Sequence, residues 1–264
     1  MSASRRLCAA TLTTLLLLAL TGCSTETAPP TGARGAAGSQ SMPAAGRAQA
    51  SRPAEIPAAG RAATPRPAEI PALGPRTRAA IPATARQAVV VTGEARDSNQ
   101  STAVLYVRDA PAEGWRAAAG PWPAHNGLKG WTDLHVAGDL KSPVGVYTLS
   151  DAGGRLPDPG ALLPYDEHPR FAMSGEGFYG ESLEGSFDYV VAIDYNRTPG
   201  VTPLDRERPL GEDRGGGIWL HVDHGGPTQG CVSLPEDRMR DLLLALDPAK
   251  KPVIVMGDAM TLRR

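Results

Sequence analysis

Short apolar runs, separated by glycine, proline, aspartate and asparagine, fill the chain from Gln87 onward. Apolar runs of this length between turn residues are typical of β-strands in an all-β domain. We therefore expect a mainly β domain over residues 87–258, with a few short helices and a tail at 259–264. The runs that predict strands cover residues 89–91, 103–107, 144–149, 189–195, 218–222 and 253–256.

One helix is predicted in the C-terminal part of the chain. Ser233 and Glu236 have the spacing of a capping box, in which each side chain bonds a free backbone N–H of the other residue. Asp247-Pro248 is a stop signal, because proline cannot continue a helix. Four apolar residues at helical spacing lie between these signals: Met239, Leu242, Leu243 and Leu246.

The connection 196–217 is unusually long for a link between two strands. It is rich in proline, glycine and charge, and it ends in three consecutive glycines before the predicted strand 218–222. A loop of this length beside a site is often a lid. We expect a mobile cover here, with an idle surface excursion as the alternative.

The N-terminal segment has a different pattern. Arg5 and Arg6 precede an apolar run over residues 12–20, which is too short for a bilayer span of about 20 residues and is typical of an export signal. The run ends in Leu20-Thr21-Gly22-Cys23, which resembles the lipobox of bacterial lipoproteins. The resemblance implies removal of residues 1–22 and a lipid on Cys23 that anchors the protein to the cell membrane on its extracytoplasmic side. A plain secretory signal is the alternative.

Residues 23–86 are predicted to form a disordered Pro/Ala/Gly/Arg-rich linker. Frequent proline blocks helices and sheets, so the segment favours an extended polyproline II character. A 14-residue repeat runs through it, because residues 43–48 recur at 57–62 and residues 52–58 recur at 66–72. From residue 24 to 86 there are eight arginines and three glutamates, so this arm is basic. It could lie against anionic lipids or wall polymers, or be a solvated spacer.

The cysteine count draws attention to Cys231. Cys8 lies in the segment predicted to be removed and Cys23 would carry the lipid, which leaves Cys231 as the free thiol. A free thiol in an exported protein is open to oxidation. Its presence favours a chemical role, with a passive buried cysteine as the alternative.

His221 precedes Cys231 by ten positions and is a candidate base. A free thiol is only a few per cent ionised at neutral pH, so a cysteine nucleophile needs a base or a positive charge nearby. A Gly-Gly-Pro turn between the two residues would let imidazole and sulfur converge. The amides of Gly230 and Cys231, on a turn before the predicted helix, could hold an oxyanion, and the helix N-terminus would favour the thiolate. These features support acyl transfer through a thioester.

The segment Thr228-Gln229-Gly230-Cys231-Val232 lies downstream of a strand-borne histidine, and it is similar to the active-site signature of the L,D-transpeptidase (YkuD-type) family. Residues 138–147 are similar to its Gly-Asp-x-x-Thr-Pro-x-Gly-x-Tyr segment, and residues 189–196 resemble its Tyr-Asn-containing strand. The resemblance covers most of residues 87–257. It implies a β-sandwich or barrel catalytic domain that acts on peptidoglycan stem peptides.

The resemblance also implies roles for individual residues. Cys231 would attack the L-to-D peptide bond of a tetrapeptide stem, releasing D-Ala, and an amine of a second stem would resolve the thioester into a 3→3 cross-link. His221 would be the general base and acid, and the Val222 carbonyl would orient its ring. The Gly230 and Cys231 amides would form the oxyanion hole, and acylation by carbapenems would follow. The remaining motif or substrate positions are Thr228, Gln229, Ser233 and His224.

This chain departs from the family pattern at three points. Thr228-Gln229 stands where many members have Ser-His, Ser233 stands where many have Asn or Arg, and the His-to-Cys gap is shorter than in the best-known members. These departures leave the acceptor open. An L,D-carboxypeptidase or amidase that uses water is the first alternative, and a non-catalytic wall-binding lipoprotein is the second.

A metal site formed by His221, Asp223 and His224 is not favoured. Along a strand, His221 and Asp223 would share a face and His224 would point away. We predict no metal or other cofactor, no nucleic-acid partner and a monomer. The other histidines, His125, His135 and His168, are expected to be ordinary polar residues. The four tryptophans are expected in the core or on sheet faces.

Overall fold

The structure is a computed structural model and describes residues 68–264. The predicted signal segment, the lipid site at Cys23 and the linker up to residue 67 lie outside the described residues. Within them the chain is mainly β, with three short α-helices: α1 (Pro75–Ala80), α2 (Glu236–Ala245) and α3 (Ala259–Leu262). The strands are β1 (Gln87–Gly93), β2 (Gln100–Val107), β3 (Arg116–His125), β4 (Trp131–Thr132), β5 (Ser142–Pro143), β6 (Gly145–Thr148), β7 (Ala152–Gly154), β8 (Tyr165–Glu167), β9 (Val190–Ala192), β10 (Trp219–Val222), β11 (Val232–Leu234) and β12 (Val253–Asp258).

Ten of these strands form one sheet in the order β6-β12-β1-β2-β3-β11-β10-β9-β7-β8, and β4 pairs with β5 separately. Most neighbours are antiparallel, but β1 with β12, β10 with β11 and β7 with β8 are parallel. One hydrophobic core includes residues from both halves of this sheet and from α2. The sheet therefore curls around a shared core, and the predicted mainly β fold is confirmed.

Strands β1 and β12 are buried on both faces. Val89 and Val91 face the main core, whereas Ala88 and Val90 belong to a second hydrophobic cluster, as the two-residue period of a strand requires. The second cluster also contains Ile70, Leu73, Trp115 and Leu262. A sheet face that lies against other chain segments explains why these strands are apolar at nearly every position.

Residues 68–86 and 259–264 cover much of this second face of β1 and β12. The Gly74 amide donates to the Leu262 carbonyl at 2.8 Å, and Arg76 donates to the Arg264 carbonyl at 3.0 Å. The side chains of Ile70 and Leu262 are almost fully buried. The part of the predicted linker that the structure describes is thus folded against the domain, and the predicted tail contains α3.

All six predicted strand segments contain a strand, although β6 and β9 are shorter than expected. The strands that were not predicted are β3, β4, β5, β7, β8 and β11. The capping box at Ser233 was wrong, because Ser233 lies in β11 and α2 begins at Glu236 after an N-cap residue, Pro235, that makes no side-chain cap bond. Among the described residues, no helix combines the length and the apolar character needed to cross a membrane.

The connection 196–217 is tied down at several points. The Asn196 side chain donates to the Gly211 carbonyl at 3.0 Å and accepts from the Leu210 amide at 2.6 Å. Arg197 is buried and lies 3.1 Å from the Asp151 carboxylate, with Asp194 as a second ion-pair partner. The proposed lid is therefore a loop with its own hydrogen-bond network, and its last residues form one wall of the site described next.

Candidate active site

The register of β10 and β11 brings His221 and Cys231 together. Leu220 pairs with Val232 and His221 with Ser233, so the residue opposite Trp219 is Cys231. Side chains two positions apart share a face of a strand. Trp219 and His221 therefore lie on the same face as Cys231, while Leu220 and Val232 point into the core. Thiol and imidazole are diagonal neighbours, at a Cα spacing of about 7–8 Å that long side chains can bridge.

His221 is buried, and its Nδ1 lies 2.9 Å from the Val222 carbonyl oxygen. A carbonyl oxygen only accepts, so Nδ1 carries the proton and Nε2 is left as the basic nitrogen. Burial lowers the pKa of His221 to about 4, although the bond to Val222 opposes this shift. The Phe187 ring packs edge-on against the imidazole, with centroids 5.3 Å apart. At neutral pH His221 is therefore an uncharged, oriented base.

Cys231 is held by backbone groups at the start of β10. Its Sγ lies 3.4 Å from the Trp219 amide nitrogen and 3.6 Å from the Gly217 carbonyl oxygen. Burial raises the pKa of the Cys231 thiol to about 11, and the Trp219 amide only partly offsets the shift. The expectation of a helix N-terminus at the thiol was wrong, because β11 and not α2 follows Cys231. Thiol and imidazole are both neutral before substrate arrives.

Thr228 organises the turn that carries the cysteine. Its Oγ1 donates to the Cys231 carbonyl at 2.7 Å and accepts from the Gly230 amide at 3.1 Å. The Gly230 amide is therefore engaged by Thr228, and it would have to be released or shared to serve an oxyanion hole. Gln229, at the family's histidine position, is exposed and borders the cavity. A Cβ at Gly230 would meet the Lys141 carbonyl oxygen at 3.0 Å, a tight contact that favours glycine at this position.

His224 lies beside His221 and not away from it. The two rings stack at 5.9 Å with an interplanar angle of 8°. The strand ends at Val222, so the turn that follows brings His224 back over the site. Its Nδ1 is 3.2 Å from the Glu181 carboxylate, within ion-pair distance but without hydrogen-bonding geometry.

Ser233 is placed in the sheet and not in the cavity. It is fully buried, and its Oγ donates to Asp223 Oδ1 at 2.6 Å. The same oxygen lies 2.7 Å from His125 Nδ1, so Asp223 ties β3 and β11 to the end of β10. The bonds from His125 and Ser233 hold the pKa of Asp223 at about 2 against the effect of burial, and the contact raises the pKa of His125.

A cavity of about 440 Å³ opens above Cys231 and His221. One wall is formed by Gly215–Gly217 of the long connection, and a second wall by residues between 173 and 187. The second wall was not foreseen, because no local pattern marks it. It includes a turn closed by a Glu176–Ser182 bridge and by a hydrogen bond from the Gly177 amide to the Glu181 carbonyl at 2.7 Å.

His135 also lines the cavity, although we expected it to be an ordinary polar residue. It is buried, its Nδ1 lies 3.0 Å from Asp139 Oδ1, and its ring packs edge-on against Tyr195 at 5.3 Å. Burial lowers the pKa of His135 although Asp139 opposes the shift. Asp139, four residues later, is the one sequence feature that could have marked it.

The site brings together three features that acyl transfer requires: a thiol, an oriented neutral base and an open cavity beside them. Within residues 68–264, no group of three or more His, Cys, Asp or Glu side chains is arranged to hold a metal ion. None of the curated proteins and none of the solved structures compared with the chain matches it. The model of the L,D-transpeptidase catalytic domain, YkuD, matches residues 89–255, which is more than half of the chain. The chain therefore belongs to the YkuD family of L,D-transpeptidase catalytic domains.

Proposed function

We propose that the protein is an L,D-transpeptidase that acts on peptidoglycan tetrapeptide stems through a thioester on Cys231. The observation that carries the proposal is the shared face of β10 and β11, where a neutral thiol stands next to a neutral imidazole whose Nδ1 is fixed by the Val222 carbonyl. The family match to residues 89–255 supports the same reaction class.

In the first half-reaction the thiol proton passes to Nε2 of His221 as the sulfur attacks the carbonyl carbon of the L-to-D peptide bond. The C–S bond forms, and the oxygen becomes an oxyanion. His221 then returns the proton to the leaving nitrogen as the C–N bond breaks, so D-Ala departs with a neutral amine. A neutral thiol and a neutral imidazole suit this order of steps, because the imidazole is free to take the proton at the moment of attack.

In the second half-reaction an amine of another stem attacks the thioester. His221 accepts a proton from this amine and delivers it to the departing sulfur, which restores the thiol and leaves a 3→3 cross-link. Water in place of the amine would give an L,D-carboxypeptidase. The protein would then trim stems instead of joining them.

Mass spectrometry of the products formed from a disaccharide-tetrapeptide tests the proposal. Dimers that lack one D-Ala support transfer, and tripeptide monomers with free D-Ala support hydrolysis. The Cys231→Ala variant is the matched control. Unchanged substrate, together with equal carbapenem mass adducts on the wild type and on Cys231→Ala, would refute a cysteine enzyme of either kind.

We also propose that the mature protein is anchored by a lipid on Cys23 to the extracytoplasmic face of the membrane and reaches into the cell wall. The motif before Cys23 and the basic arm that follows it support this location. A Cys23→Ser variant should lose incorporation of a labelled fatty acid and move from the membrane fraction to the soluble fraction. Equal labelling of the variant would contradict the anchor.

A further inference from the structure

A second cavity, of about 380 Å³, adjoins the thiol cavity. Phe187 and Gly217 border both cavities, and Trp219 borders the second one. Gly217 and Trp219 are also the residues whose backbone atoms contact Cys231 Sγ, at 3.6 Å and 3.4 Å. The second cavity therefore begins one backbone width from the nucleophile.

The lining of this cavity is basic. Arg170, Arg206 and Arg208 border it, with Asp205 as the one carboxylate among its lining residues. Within residues 68–264 none of these three arginines forms an ion pair with a carboxylate. Arginines that do pair with aspartates in the same part of the chain are Arg96, Arg116, Arg155, Arg197 and Arg238.

Arg208 is held in place against the glycines of the 215–217 segment. Its Nη1 donates to the backbone carbonyls of Asp205 and Glu207, at 3.3 Å and 2.8 Å. A Cβ on Gly216 would lie 2.3 Å from Arg208 Nε, and the φ of this glycine is 153°. The guanidinium can lie against this backbone only because residue 216 has no side chain. Its Nη2 makes no hydrogen bond within the described residues, so one edge of the fork is available to a carboxylate.

We propose that this arginine-lined cavity binds the terminal α-carboxylate of the donor peptide, on the residue that leaves when Cys231 is acylated. This inference rests on the proposed function. When the scissile carbonyl lies at Sγ, the carboxylate of the next residue lies about one residue length, up to 3.8 Å, further along the chain. Gly217, whose carbonyl oxygen is 3.6 Å from Sγ, lines both cavities, so the second cavity borders the region that this carboxylate would reach. The site thereby selects peptides that end one residue after the cleaved bond.

The test uses the full chain and two ligands: a stem tetrapeptide with a free C-terminal carboxylate, and the same peptide as its C-terminal carboxamide. Calorimetry on the Cys231→Ala variant measures binding without turnover, and kcat/KM for acylation is measured with Cys231 intact. We expect the carboxylate peptide to bind about 10- to 100-fold more tightly, the range of a hydrogen bond to a charged group.

Arg208→Gln should bring this ratio close to one. Arg170→Gln, at an exposed position, tests the same cavity independently of the fit of Arg208 against Gly216. Arg76→Gln removes the same charge from an exposed position on α1 and should leave the ratio unchanged. The thermal midpoint of each variant shows whether it is folded.

Equal affinity of wild type for the two peptides, or no binding of either, would overturn the proposal. So would a ratio that survives in Arg208→Gln and Arg170→Gln. The affinity ratio of the two peptides could depend on the arginines even if the wild type shows no turnover. That result would support the carboxylate site and reject the transfer reaction. Turnover with no preference for the carboxylate would keep the reaction and reject the site.

Discussion

The protonation state of Cys231 and His221 can be tested with a small uncharged disulfide, which reacts with the thiolate and not with the thiol. The structure puts the pKa of Cys231 at about 11, against an ordinary value of 9.0. This difference makes the thiolate about 100-fold scarcer than in a free cysteine at pH 7. A thiolate whose thiol has a higher pKa is more nucleophilic, and this raises the reaction rate of each thiolate by about tenfold. We expect Cys231 to react about tenfold more slowly than free cysteine.

The pH profile separates a neutral pair from a preformed ion pair. For a neutral pair the rate of disulfide modification rises about tenfold per pH unit from pH 6 to beyond pH 9, because the thiol pKa lies near 11. Mass adducts on Cys231, corrected with a Cys231→Ser variant that retains Cys8 and Cys23, give the rate. A plateau between pH 5 and pH 8 would refute the reasoning, because it would mean that His221 already holds the proton.

His221→Ala extends the test. An uncharged imidazole does not stabilise the thiolate, so this change should alter the disulfide rate by less than about threefold. Acylation by substrate should fall about 10²- to 10⁴-fold, the usual contribution of a general base. In the wild type the acid limb of kcat/KM should lie near pH 4, because His221 must be deprotonated to act and its pKa is about 4. A limb near pH 6.5 would contradict the burial argument.

Three further predictions concern stability, measured as the free energy of unfolding. Ile70→Ala should cost about 2–4 kcal/mol because Ile70 is buried, whereas Ile56→Ala, its counterpart in the repeat, should cost nothing if the linker prediction holds; equal losses would contradict it. Arg197→Met should cost about 3–5 kcal/mol, since Asp151 and a second buried carboxylate lose their partner; a change below 1 kcal/mol would argue against the network. Between pH 6.5 and pH 4, protonation of His221 should lower the free energy of unfolding of the wild type by about 3 kcal/mol. The pKa of His221 is lower in the folded state, so the unfolded chain binds the proton first as the pH falls. The same dependence of stability on pH in His221→Gln would contradict this.

The sequence predicted the strands that carry dense apolar residues, such as β1 and β12, because burial on both faces leaves a continuous apolar run. It missed β3, whose alanines, glycine and prolines have little intrinsic strand preference. β3 exists because β2 and β11 pair with it on its two sides. Such pairing is a tertiary fact that no local window of β3 contains.

The same distinction holds at the site. Cys231 and His221 were singled out because their residue types and order are chemically informative, and Val222 followed from the family resemblance. His135, which lines the cavity and packs on Tyr195, and Glu181, which contacts His224, were missed because these contacts join distant parts of the chain. Ser233 shows the opposite error, since a local capping pattern suggested a helix start where pairing with β10 forms a strand.

The short spacing between His221 and Cys231 follows from the parallel pairing of β10 and β11. Parallel strands usually need a crossover of a dozen or more residues. Here Asp223–Gly230 makes the return in a tight path, with Thr228 bonded to the Cys231 carbonyl and the Asp223 amide donating to the Leu234 carbonyl at 2.7 Å. The strand register fixes where thiol and imidazole lie, and the connection only has to permit that register. A longer return loop would keep both side chains on the same face of the sheet, whereas a slip of β11 by one residue would turn Cys231 into the core.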